Sequence, residues 1–412
     1  MTNEPKVEGM TLLAMRATWE QGPLIETAKR LGATVVAIDV KKDAEGLELA
    51  DHHEIVPSLR DLEACLDIAE KYDVDAIISD ECDYSLFTAA YIGDRLGLPS
   101  VGVSTAQVTT NKKLLRRAVD AAHVPGEHIV SQPTYCICTT LSEAERAADE
   151  AGYPCVIKPT DNRGGFGVNR IESPNEVPPA FYEALENSHA REVLVESFVE
   201  GTPLSVDGYC LSGEYKSLAV GSKNTSLGSL YPNLEIIYPA TISEVAMDAV
   251  LQANHEVAEM INISTGATHA EYILTDDGEI SLLEFQNRGG GVFTSARIVP
   301  AITGFDVNRQ LLADAVGKSS GQEGKTYSME RASFMQFLEF ESGYIESIEG
   351  VEAVRNREDV LALRLYIDAG EEIKHFSAFT GSHGVIITTG DIPSDARSAA
   401  KEALSKLVLS YA

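Results

Sequence analysis

The amino-acid sequence predicts an α/β protein with an open parallel sheet at its N-terminus, a mixed α+β central region and a strand-rich C-terminal segment. Between residues 11 and 102, short apolar runs alternate with helix-patterned stretches, which is the rhythm of βαβ units on a parallel sheet. Two alternating strands flank Asp277 and Gly278, and another strand-rich stretch covers residues 332–387. A chain of 412 residues has room for roughly two to three domains.

The N-terminal region is predicted to form successive strand and helix pairs. The predicted strands cover residues 11–15, 34–40 and 75–79, and the predicted helices cover residues 23–30, 58–71 and 84–95. The turn after the first strand lacks the glycine-rich fingerprint of dinucleotide-binding proteins, because Met15, Arg16 and Ala17 stand where GxGxxG is required. The sequence therefore disfavours a nicotinamide-dependent dehydrogenase.

The chain is strongly acidic. Its 63 Asp and Glu residues outnumber its 33 Lys and Arg residues, which gives a formal net charge of −30. Binding along a phosphate backbone needs a basic surface that displaces counterions, so this charge disfavours a general nucleic-acid binder. Most of the carboxylates are expected to form a solvated coat.

Six cysteines are scattered without a CxxC pair or a metal-type spacing, which favours reduced thiols over a disulfide framework or a zinc site. Cys136 and Cys138 share one face of a strand predicted over residues 134–139, where a buried apolar role is expected. No signal-type apolar core follows the polar opening, and no apolar run approaches the roughly 18 residues of a membrane span. A cytoplasmic address is expected.

A helix predicted over residues 110–122 opens with four basic residues in an otherwise acidic chain: Lys112, Lys113, Arg116 and Arg117. A charge run of this kind is more often a solvated helix face than a functional site. Further along the chain, residues 319–325 (SSGQEGK) are predicted to be a linker. Residues 394–409 are predicted to form a terminal helix with Ser394 as its N-cap.

A glycine-rich segment predicts one half of a nucleotide site. Lys158 ends an apolar strand, and the loop after it contains Gly164, Gly165 and Gly167. Glycines let backbone N–H groups approach phosphates closely, and a nearby lysine supplies the compensating charge. Taken alone, such glycines more often mark an ordinary turn. The residues that follow have a strand pattern, which predicts a hairpin flap and excludes a Walker loop, since that loop opens a helix.

Two glutamates of the central region predict the other half of the site. Asp277-Gly278 is the dipeptide favoured in a two-residue type I′ hairpin turn, and such a turn places Glu271 directly opposite Glu284. Two carboxylates directly opposite each other on paired strands repel unless a cation lies between them. Oxygen ligands of this kind suit Mg²⁺. The hairpin is therefore predicted to hold the metal of a nucleotide site. Two exposed acids on a solvent-facing hairpin remain the ordinary alternative.

Three further polar residues share the face of the two glutamates: His269, Gln286 and Arg288. The predicted register sets His269 opposite Gln286. Taken alone, His269 is more often a satisfied core or edge histidine than a ligand or a base. Arg288 is followed by three glycines, which favours a packed, functional strand end over a solvent-facing one.

This combination resembles the ATP-grasp superfamily of ligases, over about residues 111–306, with a weaker match to the pre-ATP-grasp segment before it. The residues that carry the resemblance are, in family order, the first lysine element at 111–116 (NKKLLR), Lys158 with its glycine flap, the hinge strand at 196–201 (ESFVEG) and the metal strand at 284–288 (EFQNR). Residues 303–306 (TGFD) are similar to a helix start in the L-amino-acid ligase and biotin carboxylase-like branches.

The resemblance implies a two-lobed ATP-grasp fold between two flanking domains. The implied divisions are a pre-ATP-grasp βαβ domain over residues 1–108, an ATP-grasp domain over residues 109–320 with a smaller lobe at 109–195 and a larger lobe at 196–320, and an α+β domain over residues 326–412 packed on it.

The resemblance also implies a role for each matching residue. Lys112 and Lys158 would contact the phosphates of ATP, and Lys158 and Arg288 would form the catalytic set. Arg288 would hold the substrate carboxylate or its acyl phosphate. The other implied roles are phosphate cover by Gly164, Gly165 and Gly167, nucleotide binding by Glu196, Phe198, Val199 and Glu200, metal ligation by Glu271, Glu284 and Gln286, and substrate contact by His269.

Two positions depart from the family pattern. Pro203 stands where the family often has a glutamate for the ribose, and Glu200 is the candidate substitute. Gln286 stands where the usual third metal ligand is asparagine, and it offers the same carbonyl oxygen from one methylene further out. Both metal carboxylates are retained.

The function implied by the resemblance is an ATP-dependent carboxylate–amine ligase, which forms an amide or peptide-like bond through an acyl phosphate and releases ADP and phosphate. Its cofactors would be ATP and Mg²⁺, with Mn²⁺ as an alternative metal, and its substrates small molecules, amino acids above all. A homodimer is compatible with the family, and no nucleic-acid or membrane partner is expected. The alternatives are an ATP-dependent carboxylase, a nucleotide-biosynthesis ligase of the same fold, and a non-catalytic ATP-binding regulator. Residues 222–238 are expected to recognise the acceptor as a lid, or to be a solvated loop.

Overall fold

The computed structural model describes residues 5–224, 235–374 and 382–412. Within these ranges the strands form four sheets. No helix of the described chain is long and apolar enough to cross a membrane.

The N-terminal region forms an open parallel sheet, as its alternating pattern predicts. Its elements are β1 (Thr11–Met15), α1 (Gly22–Arg30), β2 (Thr34–Asp39), β3 (His52–Ile55), α2 (Leu62–Lys71), β4 (Ala76–Ile78), α3 (Asp83–Leu96) and α4 (Val103–Thr109). The strand order is β3-β2-β1-β4, and every pairing is parallel. Both faces are covered, since Leu12 and Leu13 belong to separate apolar cores. Parallel sheets bind ligands at the carboxyl ends of their strands, and the turn after β4 contacts the site described below.

A smaller lobe follows, built on an antiparallel sheet. Helix α5 (Lys112–Ala122) and the short strand β5 (Val130–Ser131) lead into it, and its own elements are β6 (Tyr135–Cys138), α6 (Leu141–Ala151), β7 (Cys155–Pro159), β8 (Asn169–Ile171), α7 (Val177–Glu186) and β9 (Val193–Ser197). The strand order is β6-β9-β7-β8. Cys138 is buried, but the expected burial of Cys136 is wrong, because β6 is an edge strand and Cys136 lies on its exposed part.

The rest of the chain builds a nine-stranded mixed sheet and a small C-terminal sheet. The elements are β10 (Thr202–Leu211), β11 (Glu214–Asn224), β12 (Glu235–Tyr238), α8 (Glu244–Met260), β13 (Gly266–Leu274), β14 (Ile280–Gln286), α9 (Val299–Thr303), α10 (Val307–Ala315), β15 (Ala332–Leu338), β16 (Gly343–Glu349), α11 (Val351–Arg355), β17 (Val360–Leu365), β18 (Glu372–Ile373), β19 (Gly384–Gly390), α12 (Pro393–Leu404) and β20 (Val408–Tyr411). The large sheet has the order β17-β19-β15-β12-β11-β10-β13-β14-β5, and the small one has the order β18-β16-β20. Strands β15, β17 and β19 of the C-terminal segment therefore continue the sheet that carries the predicted metal hairpin.

Helix α5 packs on the larger lobe and not within the smaller one. Leu115 and Val119 of α5 share an apolar core with Val250 of α8 and Phe285 of β14. The sheet of the smaller lobe begins only at Tyr135. The amphipathic pattern of α5 predicts the helix itself, but it carries no information about which lobe covers its apolar face.

Two expectations about the C-terminal third are wrong. Helix α12 ends at Leu404, residues 408–411 pair with β16, and the N-cap is Ile392 instead of Ser394, because Pro393 takes the first helical position. The residues expected to form a linker are packed, since the backbone N–H of Asp306 donates to Gln322 Oε1 at 2.8 Å and Gln322 Nε2 donates back to the Asp306 carbonyl at 2.9 Å.

Candidate active site

The hairpin of β13 and β14 brings the two predicted metal carboxylates together. Glu271 is the register partner of Glu284, and His269 is the partner of Gln286. Apolar residues of the same strands, Ala270 and Phe285 among them, point into the core. The predicted pairing of the four polar residues is confirmed.

The turn that joins the two strands differs from the predicted one. The backbone N–H of Gly278 donates to the Thr275 carbonyl, and Gly278 has φ +91°, so the loop is Asp276, Asp277 and a left-handed glycine. That turn shifts the pairing by one residue, and Tyr272 lies opposite Leu282. Leu283 has no partner on β13, and this bulge cancels the shift, so that Glu271 lies opposite Glu284.

Each of the two predicted metal carboxylates is paired with a lysine. Lys112 Nζ lies 2.8 Å from Glu284 Oε1, and Lys223 of β11 pairs with Glu271. Burial alone would raise the pKa of Glu271, but the Lys223 ammonium and His269 outweigh it and hold that pKa well below its usual range. The repulsion expected between the two carboxylates is thus relieved by two cations of the chain itself.

The donor set fits Mg²⁺. The side chains of Glu271 and Glu284 are 34% and 24% exposed, so both carboxylates remain accessible to an incoming ion. Gln286 is buried two residues after Glu284 on the same face. Within the described ranges no group of three or more His, Cys, Asp or Glu side chains is arranged as a metal site, which leaves two carboxylates and an amide as the oxygen donors.

His269 is held by a buried chain of hydrogen bonds. Its Nδ1 lies 2.8 Å from Asp207 Oδ1, and the Tyr238 hydroxyl donates to Asp207 Oδ2 at 3.0 Å. Its other ring nitrogen lies 3.8 Å from Glu271 Oε1. Burial lowers the pKa of His269, but Asp207 outweighs burial and raises it. His269 is therefore fixed between a buried acid and a metal carboxylate.

Lys158 belongs to a buried ion triad in the smaller lobe. Glu196 accepts from Lys158 Nζ at 2.6 Å and from Arg116 Nε at 2.8 Å. The triad has two cations and one anion. Burial would raise the pKa of Glu196, but the two cations outweigh it and lower that pKa to about 2. Burial and the nearby Arg116 also lower the pKa of Lys158, which Glu196 offsets only in part.

The Glu196 pairing predicts an acid-sensitive stability. The pKa is about 2 in the fold against an ordinary 4.5, so the carboxylate stabilises the fold above pH 4.5 and loses this contribution as the pH falls towards 2. Its full size is on the order of 3 kcal/mol, since each pKa unit is about 1.4 kcal/mol. In urea unfolding from about pH 7 to pH 3, the stability gap between wild type and Glu196→Gln is expected to shrink only below pH 4.5. A gap that stays constant over this range would contradict the prediction.

The glycine flap is the loop between β7 and β8, which pair antiparallel as the sequence predicts. Gly164, Gly165 and Gly167 have φ values of +63°, +76° and +71°, a region that side-chain-bearing residues rarely adopt. Lys112 Nζ also donates to the carbonyl of Asn162 at 2.7 Å. Lys112 thus joins the flap to the metal carboxylate Glu284.

The flap rests on a tyrosine of the N-terminal region. The hydroxyl of Tyr84 donates to Asn162 Oδ1 at 2.7 Å, and the guanidinium groups of Arg60 and Arg163 lie 4.8 and 4.5 Å from the centre of its ring. Arg60 also donates to the carbonyl of Asp161 at 3.1 Å. The position of the flap therefore depends on α3 of the N-terminal region.

Removing the Tyr84 hydroxyl tests this support. Tyr84→Phe keeps the ring in contact with its two arginines and removes only the bond to Asn162, so we expect KM for ATP to rise about fivefold, the effect of one hydrogen bond, with a smaller change in kcat. Tyr91→Phe is the matched control, because Tyr91 lies on the same helix and bonds to Glu63. Equal KM values for wild type and Tyr84→Phe would show that the flap does not rely on this bond.

Arg288 is clamped by the N-terminal region. Its Nε and Nη2 donate to the two oxygens of Asp83 at 2.9 and 3.2 Å, a bidentate pair, and its Nη1 donates to the Gly289 carbonyl at 2.8 Å. Burial would raise the pKa of Asp83, but Arg288 outweighs it and lowers that pKa. The sequence pattern points to Arg288 but gives no signal for Asp83, which lies 205 residues away in the chain.

The loop after Arg288 is held by buried carboxylates from the turn between β4 and α3, just before Asp83. Asp80 accepts from the backbone N–H of Gly289 at 2.7 Å, and Glu81 accepts from the backbone N–H of Phe293 at 3.1 Å. Val292 and Phe293 have φ values of +56° and +61°, an uncommon conformation for bulky residues. Burial raises the pKa of Glu81 well above its usual range. The turn of residues 80–84 thus positions the flap, Arg288 and this strained loop together.

Two parts of the chain match known families. Residues 151–296 match the family described as the ATP-grasp domain, and residues 336–412 match the one described as L-amino acid ligase C-terminal domain 2. The chain contains an ATP-grasp domain. Its ATP-grasp domain includes the flap, the hinge after β9, the metal hairpin and Arg288, and the expected resemblance is confirmed.

Similar proteins support this placement. Alanine–anticapsin ligase from Bacillus subtilis (strain 168) is 26% identical over 290 residues, which cover 65% of this chain and 58% of that protein. Formate-dependent phosphoribosylglycinamide formyltransferase from Wolinella succinogenes is 30% identical over 177 residues, which cover 43% of this chain and 44% of that protein. The chain thus spans about half the length of the curated relatives it matches.

The fold extends over the whole chain. The crystal structure of L-amino acid ligase from Bacillus licheniformis superposes with a TM-score of 0.82 at 22% identity, covering 98% of this chain and 99% of that one. At this identity the likeness shows the fold, and it confirms the predicted fold class.

The hinge residues lie at the end of β9 in the ATP-grasp domain. The ring of Phe198 lies 4.1 Å from the guanidinium of Arg170, and its backbone N–H donates to the Pro154 carbonyl at 3.3 Å. Val199 is half-buried and Glu200 is exposed. Both carboxylate oxygens of Glu196 are engaged by Arg116 and Lys158. The part of the expected acceptor segment at residues 225–234 lies outside the described residues.

Proposed function

We propose that this ATP-grasp protein is an ATP-dependent carboxylate–amine ligase that joins two amino acids or closely related small molecules. The observation that carries the proposal is the junction at Lys112, whose ammonium contacts both the metal carboxylate Glu284 and the flap carbonyl of Asn162. This junction supports a site in which the glycine flap would cover the phosphates beside the proposed metal carboxylates, with Arg288 four residues after Glu284. The match to the L-amino acid ligase C-terminal domain supports amino acids as the substrates.

The proposed reaction has two steps. An oxygen of the substrate carboxylate forms a bond to the γ-phosphorus of ATP while the bond from that phosphorus to the bridging oxygen breaks, and ADP leaves. The nitrogen of the amine substrate then forms a bond to the acyl carbon, the carbon–oxygen bond to phosphate breaks, and the amine loses a proton. Each step brings anionic groups together, so charge neutralisation and positioning are the main tasks of the site.

The residues of the chain divide these tasks. Lys112 and Lys158 hold the phosphates, and Arg288, pre-oriented by Asp83, holds the carboxylate or its acyl phosphate. Glu271 and Glu284, with Gln286, would hold Mg²⁺, which supplies positive charge beside the transferring phosphoryl group. Mn²⁺ is the alternative metal.

Nucleotide recognition is proposed to rest on the hinge backbone. The side chain of Glu196 is engaged by two cations and the N–H of Phe198 by Pro154, so we assign the adenine contact to the backbone at Glu196 and Val199. Glu200 is exposed beside the hinge glycine and is the proposed substitute for the ribose glutamate. His269 is proposed to contact the substrate next to the metal carboxylates.

The test is the release of ADP and phosphate from Mg-ATP with a matrix of single and paired amino acids and simple carboxylates, with Glu284→Ala as the blank. Release that requires one carboxylate and one amine together supports the proposal. Release with formate and phosphoribosylglycinamide would favour the second candidate, which the 30% identity to a formate-dependent formyltransferase suggests. ATP binding without turnover in any mixture would favour a non-catalytic ATP-binding protein.

A further inference from the structure

Arg116 is a fully buried arginine with three partners, on the basic helix α5 one turn after Lys112. Its Nε donates to Glu196 Oε1 at 2.8 Å, its Nη2 to the carbonyl of Leu283 at 2.9 Å and its Nη1 to Gln132 Oε1 at 3.3 Å. A guanidinium is rarely removed from water entirely unless its N–H groups are satisfied, and here one side chain spans three separate elements.

Two of these partners lie where the chain crosses between the two lobes. Gln132 stands between β5 of the larger lobe and β6 of the smaller lobe, where the chain first crosses. Glu196 lies near the end of β9, just before the chain crosses back. Arg116 therefore contacts both crossings from a helix that packs on the larger lobe.

The third partner, Leu283, is the bulged residue of the metal hairpin. Tyr272 pairs with Leu282 and Glu271 pairs with Glu284, so Leu283 has no register partner on β13. Side chains alternate between the two faces of a strand, so if Leu283 paired regularly with Glu271, Glu284 would lie opposite Ala270 and point into the core. The bulge is what sets Glu284 on the face of Glu271, and Arg116 holds the carbonyl of the bulged residue.

We propose that Arg116 is a positioning residue that ties the metal carboxylate Glu284 to the phosphate lysine Lys158. Through Leu283 it fixes the bulge that aims Glu284, and through Glu196 it fixes the partner of Lys158. The metal half and the phosphate half of the site thus share one buried anchor. The inference rests on the proposed nucleotide site and not on the identity of the two substrates.

The experiment measures ADP binding by calorimetry, with and without Mg²⁺, for wild type, Arg116→Gln and Arg116→Lys. Binding of metal-free ADP reports on the Lys158 half, and the gain in affinity on adding Mg²⁺ reports on the Glu284 half. We expect Arg116→Gln to weaken metal-free ADP binding and to reduce the gain from Mg²⁺, by about tenfold overall, the effect of losing a partner that orients metal ligands. Arg116→Lys keeps a charge beside Glu196 and is expected to restore metal-free ADP binding more than the gain from Mg²⁺.

Leu115→Ala is the matched control for loss of packing. Leu115 is the preceding residue, is 1% exposed and lies in the core of the larger lobe. This variant is expected to lower the midpoint of thermal unfolding while leaving ADP affinity and its Mg²⁺ dependence unchanged. In a Glu284→Ala background, Arg116→Gln should no longer affect the gain from Mg²⁺.

The outcomes separate the inference from the proposed function. If wild type binds Mg-ADP and Arg116→Gln shows the same metal-free ADP binding and the same gain from Mg²⁺, the positioning role alone is overturned. The positioning role would also be overturned if Leu115→Ala changed metal-free ADP binding and the gain from Mg²⁺ as much as Arg116→Gln does, at a similar loss of thermal stability. Wild type that binds no ADP would overturn the proposed function together with this inference.

Discussion

Replacing Glu284 by alanine is expected to abolish ADP formation, with a loss of about 10³-fold or more in kcat/KM. Glu284 is one of the two carboxylates that form the proposed metal site, and it is also the partner of Lys112 at 2.8 Å. Its removal takes away a metal ligand and frees the lysine that joins the flap to the hairpin. Phosphoryl transfer then lacks both charge neutralisation and positioning.

A matched control lies in the same hairpin. Glu279 is exposed in the turn between β13 and β14, so Glu279→Ala makes the same chemical change outside the site. This variant should retain wild-type turnover. ADP formation by Glu284→Ala at a rate within tenfold of Glu279→Ala would remove Glu284 from the metal site.

Replacing Arg288 by lysine is expected to lower kcat/KM for the carboxylate substrate by about 10²-fold, while KM for ATP changes little. Lysine keeps a positive charge against the buried Asp83, so the clamp is not left with an unpaired carboxylate. It cannot reproduce the planar fork that Arg288 presents to two oxygens at once. The loss therefore measures the orientation of the substrate and not the charge of the site.

The two kinetic constants distinguish this loss from a general one. Asp83→Asn should produce a smaller effect of the same kind, because it removes one side of the bidentate clamp and leaves the arginine in place. Arg331 is an exposed arginine, so Arg331→Ala should leave both kcat/KM for the carboxylate and KM for ATP unchanged. An Arg288→Lys enzyme that raises KM for ATP and for the carboxylate to the same extent would contradict a role in holding the carboxylate.

The metal hairpin shows what a sequence pattern can and cannot predict. The alternation of apolar and polar residues predicts which side chains share a face, and a two-residue turn at Asp277-Gly278 predicts the pairing of Glu271 with Glu284, which the structure confirms. The predicted two-residue turn is wrong, and the pairing holds only because the bulge at Leu283 offsets the actual turn. Local dipeptide preferences indicate that a turn exists, while the bulge depends on a distant guanidinium that no local pattern contains.

The residues that sequence analysis missed come from distant parts of the chain. Lys223 pairs with a glutamate 48 positions away, and Asp207 with a histidine 62 positions away. Both lie on strands whose alternation predicts only which face they occupy. Asp207 lies on β10, next to β13, and Lys223 lies on β11, one strand further, so these pairings can be inferred only once the strand order is known.

The basic helix shows the opposite error. Lys112, Lys113, Arg116 and Arg117 look like a charged solvent-facing run, yet Arg116 is fully buried and Lys112 lies inside the site. A charge count cannot distinguish a solvated face from a buried one, because burial of a charge depends on partners supplied elsewhere. The family resemblance, and not the charge pattern, pointed to Lys112.

The central claim is that a substrate carboxylate attacks ATP to form an acyl phosphate. The most direct measurement uses a carboxylate substrate found in the release matrix, labelled with ¹⁸O in both carboxylate oxygens, followed by mass analysis of the phosphate produced. The proposed reaction transfers one labelled oxygen from the carboxylate to each phosphate and leaves the other in the amide. Phosphate released without the label during amide formation would contradict the acyl-phosphate route and with it the proposed function.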